Sequence, residues 1–110
     1  MASMSPKSPL PDSSAPPQER LEELRKRIIA VDDDIIQMIG ERRDLVLEIG
    51  RIKEALGLPI LDPAREASVV RRVAERSRAL GVDEELTRDV IWRIISSARE
   101  IQSALGSSDS

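Results

Sequence analysis

The chain contains no cysteine and no histidine. The first absence removes disulfides, thiolate chemistry and sulfur-rich metal sites. The second removes the commonest general base and the commonest zinc ligand. Aromatic side chains are nearly missing as well: Trp92 stands alone, with no Phe and no Tyr. A core must then be built from Leu, Ile, Val and Ala, a palette that suits helix packing better than a sheet. An excess of one charge is also lacking. The 17 basic and 20 acidic residues are interspersed, with a formal net charge of −3, which gives no basic footprint for nucleic acid. No apolar run reaches the roughly 18 residues of a membrane span. The N-terminus lacks the apolar middle of a secretory signal. These exclusions leave a small helical protein, which we expect in a reducing cytoplasm.

Proline is distributed unevenly, with five of the seven before residue 18, in MASMSPKSPLPDSSAPPQ. So little apolar content predicts a disordered Pro/Ser-rich leader over residues 1–18. GSSDS, residues 106–110, reads as a loose tail. One folded domain is expected over residues 19–105. No further domain stands ready to bind a regulatory amino acid, so feedback control within this chain is not expected.

Three helices account for that domain. The first is predicted from Glu19 to Leu56, where Gly57 supplies a C-cap and Pro59 blocks re-entry. Gly40 and Gly50 weaken it by about 1 kcal/mol each relative to Ala. Asp62 and Pro63 are a favourable N-cap and first helical residue for a second helix, which Gly81 ends. Asp83 caps a third, whose first turn carries Glu84 and Glu85, complementing the helix dipole. The fold class is all-α, three helices with a very long first helix.

Along the first helix, apolar residues recur in alternating steps of three and four: Leu21, Leu24, Ile28, Val31, Ile35, Met38, then Arg42, then Leu45, Ile49, Ile52 and Leu56. At about 1.5 Å per residue this helix is roughly 55 Å long, against a radius of gyration of about 12 Å for a compact domain of this size. Two shorter helices cannot cover such a seam, and an uncovered one invites aggregation. A homodimer with paired long helices is therefore expected.

The cation in the seam has two readings. Arg42 either reaches solvent or a carboxylate on a neighbouring helix, or its counter-ion is a ligand; an isolated buried cation is too costly to persist. Lys53 lies eleven residues further on, three turns plus roughly 20°, and so shares a face with Arg42 about 16 Å along the axis. Leu45, Val46 and Ile49 lie between them, an apolar floor over which two cations suit a small polyanion. A solvated pair of charges is the alternative. On the third helix the stripe Ile91, Ile95, Ala98, Gln102, Leu105 is interrupted by an amide, which needs a partner or an exposed, frayed last turn. In DPARE, Asp62 caps, and Arg65 and Glu66 form either an exposed ion pair of little worth or a further polar cluster beside a ligand. Trp92 reads as core or interface rather than as a stacking platform. The RRDL, VVRR and RSR runs read as solvated faces.

Taken together, ELRKRIIAVDDDIIQMIGERRDLVLEIGRIK, PILDPAREASVVRRV and VIWRIISSAREIQ resemble the all-helical chorismate mutases of the AroQ class, over about residues 20–104. The resemblance implies an intertwined three-helix homodimer. It implies conversion of chorismate to prephenate by a [3,3] rearrangement, with no proton transfer, covalent intermediate, metal or cofactor, in keeping with a chain that lacks His and Cys. The protein's part would be to hold the diaxial conformer and stabilise charge on the breaking ether oxygen.

Carried over by position, Arg42 would bind one substrate carboxylate. Arg25 would bind another, reaching in from the partner subunit; at about 25 Å from Arg42 along one rigid helix, it does not readily share a small dianion within one chain. Two composite sites per dimer follow. Lys53 and Gln102 would donate to the ether oxygen, Asp62 and Glu66 would hold the ring hydroxyl, and Arg65 would reinforce the anionic pocket. Ile49 and Ile95 would form apolar walls. Ala98 stands where relatives often carry Ser, which removes a hydroxyl near the substrate. A related isochorismate pyruvate lyase shares the fold and the Arg–Lys–Gln set, but Glu66 favours the mutase. A non-catalytic helical dimer or regulatory domain has no reason to keep Arg42, Lys53 and Gln102 in apolar seams.

Overall fold

A computed structural model describes residues 14–107 as three α-helices joined by two short connections. Residues 1–13 of the expected leader and 108–110 of the expected tail lie outside the described residues, whereas residues 17–18 and 106–107, expected in leader and tail, are helical. Helix α1 spans Pro17–Ala55, α2 Pro63–Leu80 and α3 Glu84–Ser107. Among the described residues there is no strand. The all-α expectation therefore holds.

Local chemistry explains each helix end. Helix α1 begins two residues before the expected Glu19, because Pro17 occupies the first helical position, where a missing N–H costs nothing. It closes in a Schellman turn. Gly57 adopts φ +69°, its N–H reaches the Glu54 carbonyl at 3.1 Å, and the Leu58 N–H reaches the Lys53 carbonyl at 2.8 Å. Asp62 caps α2, its Oδ1 accepting the Arg65 backbone N–H at 3.1 Å, and Pro63 follows as the first helical residue. Gly81, also at φ +69°, ends α2 with a second Schellman turn in which the Val82 N–H reaches the Ser77 carbonyl at 2.9 Å. Asp83 then caps α3 through the N–H groups of Glu85 and Leu86, at 3.0 and 3.4 Å.

The chain divides into two compact units, Met1–Arg42 and Arg43–Ser110, with α1 contributing to both. In the first, the described structure is essentially one helix with nothing of its own to pack against. Leu21, Ile28, Val31 and Ile35 of the seam lie open to solvent, Ile35 by 51%, while Leu24 and Met38 are half-buried.

The second unit has a core. Helices α2 and α3 pack against each other as a helical hairpin across the Gly81–Asp83 turn. Small residues permit the close approach: Ala74 is buried, and Ser77 is buried with its Oγ donating to the Val73 carbonyl at 2.8 Å. Facing them, Ile95 is only 3% exposed. From α1 this unit takes Gly50, the one buried residue among the described residues of that helix. Trp92 does not join the core. It is 52% exposed, because one residue along a helix is a rotation of about 100°, which carries it off the face of Ile91 and Ile95.

Candidate active site

The second unit gathers most of the side chains singled out by sequence. Gln102 is one of its deepest polar groups, only 9% exposed. The stripe along α3 therefore does not end in a frayed, solvated turn at this residue. It faces α1 at a glycine: a Cβ placed on Gly50 would lie 3.9 Å from Gln102 Nε2, an ordinary van der Waals contact. Lys53 follows Gly50 by three residues, and residues so spaced are neighbours on one helix face, about 5–6 Å apart at Cβ. The amide of Gln102 and the ammonium of Lys53 thus belong to one locus.

Lys53 is half-buried and held. Its Nζ donates to the Ile60 carbonyl at 3.2 Å, which ties the last turn of α1 to the connection ahead of α2. One ammonium hydrogen is so used, and two remain to donate to a ligand. The side chain of Gln102 makes no hydrogen bond within the described residues, and its amide atoms are not among the fully buried ones left unpartnered. The amide therefore keeps access to an acceptor brought from outside the chain.

The entry to α2 supplies the carboxylates. Asp62 spends one oxygen on its cap. Glu66 lies one turn further on, half-buried, and its ion-pair partner is Arg99 of α3 at 3.0 Å, not Arg65. The Arg65–Glu66 ion pair, one of the two readings of DPARE, does not form. Arg65 is exposed. On α3, Ile95 is buried and Ala98 half-buried, seven and four residues before Gln102 and on the same face. Ile49 of α1 is exposed beside Gly50. The side chain of Leu105 lies outside the described residues.

Arg25 and Arg42 belong to the first unit. Arg25 is exposed and Arg42 half-buried. Neither has an ion-pair partner among the described residues.

A groove of about 420 Å³ lies elsewhere, at the turn end of the hairpin between Arg71, Arg78, Glu84 and Arg88. Its carboxylate is already neutralised: Glu84 Oε1 accepts from Arg88 at 2.6 Å and from Arg78 at 2.5 Å. These bonds, Arg88 first, hold the Glu84 carboxyl below its ordinary range. None of the residues named for catalysis lines that groove.

Sequence reasoning passes over three contributors. Gly50 reads as a helix-weakening residue, yet it is buried and lies beside Gln102. The Ile60 carbonyl and Arg99 cannot be found from side-chain periodicity, because each acts across a turn or between helices.

The described residues form an all-helical protein whose second unit offers two hydrogen-bond donors, Lys53 and Gln102, near the end of α1. The family model described as chorismate mutase type II matches residues 24–103, and the chain belongs to that family. Among curated relatives, the chorismate mutase of Methanocaldococcus jannaschii is 33% identical over 84 residues, 76% of this chain and 85% of that protein. The T-protein of Enterobacter agglomerans is 39% identical over 72 residues, 66% of this chain but only 19% of its own length. The bifunctional chorismate mutase/prephenate dehydratase of Aquifex aeolicus is 35% identical over 82 residues, 73% of this chain and 23% of that protein. The chain thus spans most of the first relative and about a fifth of the other two.

Proposed function

We propose that this chain is a chorismate mutase, rearranging chorismate to prephenate on the route to phenylalanine and tyrosine. The observation that carries the reading is the placement at one locus of Gln102, whose amide makes no hydrogen bond within the described residues, and Lys53, a half-buried ammonium with hydrogens to spare. In the rearrangement one C–O bond breaks as one C–C bond forms, within a single ring of six atoms, and no proton changes hands. Negative charge builds on the ether oxygen, and donors fixed beforehand stabilise it without reorganising. Lys53 and Gln102 are those donors. Glu66 accepts the ring hydroxyl, with Asp62 beside it through its backbone, while Ile49, Ile95 and Ala98 wall the ring.

The two carboxylates of the substrate need cations. Arg42 takes one, Arg65 adds to the positive field, and Arg25 of a second copy takes the other. A homodimer in the cytoplasm is part of this reading, and the bare apolar seam of the first unit supports it. Fully burying a Leu, Ile or Val is worth about 1.5–3 kcal/mol, and the seam residues Leu21, Ile28, Val31 and Ile35 of that unit stand roughly half open. Covering them is worth on the order of 4 kcal/mol per chain, comparable with the whole stability of a small domain.

The direct test supplies purified protein with chorismate and, separately, with isochorismate. Prephenate from chorismate is the expected product; salicylate from isochorismate with chorismate untouched would replace this function with lyase chemistry. Lys53→Ala is expected to lower kcat at least about a hundredfold, the usual cost of one lost transition-state donor, while solution mass and helical circular dichroism stay unchanged. Unaltered turnover in a folded Lys53→Ala protein would remove Lys53 from the site.

A further inference from the structure

Of the six ion pairs with defined distances among the described residues, five share a character. Arg27–Glu23, Arg43–Asp44, Arg51–Glu48 and Arg88–Glu84 each lie within one turn of a single helix, and Arg78–Glu84 bridges only the hairpin turn. Such solvated pairs contribute little. The sixth, Arg99–Glu66, joins residues 33 apart in sequence, from the first turn of α2 to the last third of α3. Its carboxylate is also the least exposed of the set, at 16%.

We infer that Arg99 is a positioning residue, which fixes the carboxylate of Glu66 for the substrate hydroxyl and locks it in register with Gln102. The inference rests on the proposed role of Glu66. Arg99 stands three residues before Gln102, so one turn of α3 carries both the amide donor and the anchor of the acceptor. Glu66 has no other ion-pair partner among the described residues. The contact is made by Nε of Arg99 to Oε2 at 3.0 Å, yet the Nε–H does not point along it and has no hydrogen-bond acceptor. The link is a charge contact rather than a directed fork. It leaves the lone pairs of Glu66 available to accept from a hydroxyl while the cation restricts where that carboxylate sits. Without Arg99, a rotamer-rich glutamate at a helix start must be ordered each time substrate binds.

The test is a double-mutant cycle on the full chain, reading prephenate formation for the parent, Arg99→Met, Glu66→Gln and the double variant, with circular dichroism melting as the control of fold. Arg99→Met is expected to raise KM about tenfold, the low end for loss of an outer partner of a site residue, with most of the loss in KM rather than kcat. The double variant is expected to be no worse than Glu66→Gln alone, because Arg99 acts only through that carboxylate. Losses that multiply, a loss confined to kcat, or parent-like constants in Arg99→Met beside a costly Glu66→Gln each overturn the inference while the proposed function stands. A harmless Glu66→Gln removes the hydroxyl-binding role of Glu66, and the inference with it. If Arg99→Met has no cooperative melt, Arg99→Lys, which keeps the charge but not the planar guanidinium, takes its place in the cycle, and the same outcomes support or overturn the inference.

Discussion

The stretch of α1 up to Arg42 and the α2–α3 hairpin draw on the same aliphatic palette but use it in opposite ways. The hairpin buries Ala74, Ser77, Ile95 and Gln102 and pairs Glu66 of α2 with Arg99 of α3. The α1 stretch keeps Ile28, Val31 and Ile35 open to solvent and leaves Arg25 and Arg42 without an ion-pair partner among the described residues. Propensity alone barely sustains a lone helix in water; packing of its apolar face supplies most of its stability. A stretch built this way is specified by what it meets, whereas the hairpin is specified by itself. On the proposed function, the α1 stretch meets a second copy through its seam and the substrate through its arginines.

Breaking that contrast from the α1 side should have the largest effect. Ile28→Asp with Ile35→Asp places two carboxylates in the exposed seam of the first unit. If a second copy covers that seam, both charges must be buried without partners, at several kcal/mol each. The expected outcome is loss of the dimer by light scattering, a large fall in helical circular dichroism, and no measurable turnover. A variant that keeps full helicity and activity would show that this face is solvated in the working protein.

A change on the hairpin side tests the site without touching the assembly. Gln102→Glu preserves size but donates a hydrogen bond only when protonated, and an ordinary glutamate titrates near about 4.3. At neutral pH the variant should lose at least about tenfold in kcat, since a carboxylate would repel the charge developing on the ether oxygen. Activity should recover as pH falls, while the parent, whose amide does not titrate, should hold a broad profile around neutrality. A pH–rate profile of the two proteins decides it: parallel curves would mean that residue 102 does not reach the reacting oxygen.

Much of the fold is legible in the sequence because helix ends are local chemistry. Asp62–Pro63, Gly57, Gly81 and Asp83 each act within four residues of themselves, and the structure uses all of them as expected. Pro17 is harder to read as a helix start, because its Pro/Ser surroundings suggest a leader. The site is legible only as residue types on faces. Gln102 lies beside Gly50 of α1, a neighbour 52 residues away in sequence that periodicity along one helix does not show. Glu66 has its neighbour Arg65 as the obvious partner in sequence, although its actual partner comes from another helix. Trp92 reads as core or interface in the sequence; the hairpin, with small residues at its contact, leaves the indole 52% exposed and so outside the core.

The smallest effect expected is at the far end of the hairpin, and it separates stability from catalysis. Glu84 is held ionised by hydrogen bonds from Arg88 and Arg78, so its folded pKa lies below the ordinary 4.5. A carboxyl with a depressed folded pKa binds its proton more readily when the chain is unfolded. Its contribution to stability is therefore complete above about pH 4.5, and is lost as pH falls from there through the lowered folded value. Glu84 is solvated, which keeps the contribution small. Glu84→Gln keeps the shape and removes that titration, so its melting temperature should fall less steeply than the parent's between about pH 4.5 and the acid limit. At neutral pH the variant should melt slightly lower, having lost two charged contacts at the first turn of α3. Turnover at neutral pH should be unchanged, because Glu84 lies outside the Lys53–Gln102 locus. Parallel melting curves through the acid range would show that the Arg78–Glu84–Arg88 cluster gives the hairpin no pH-dependent support.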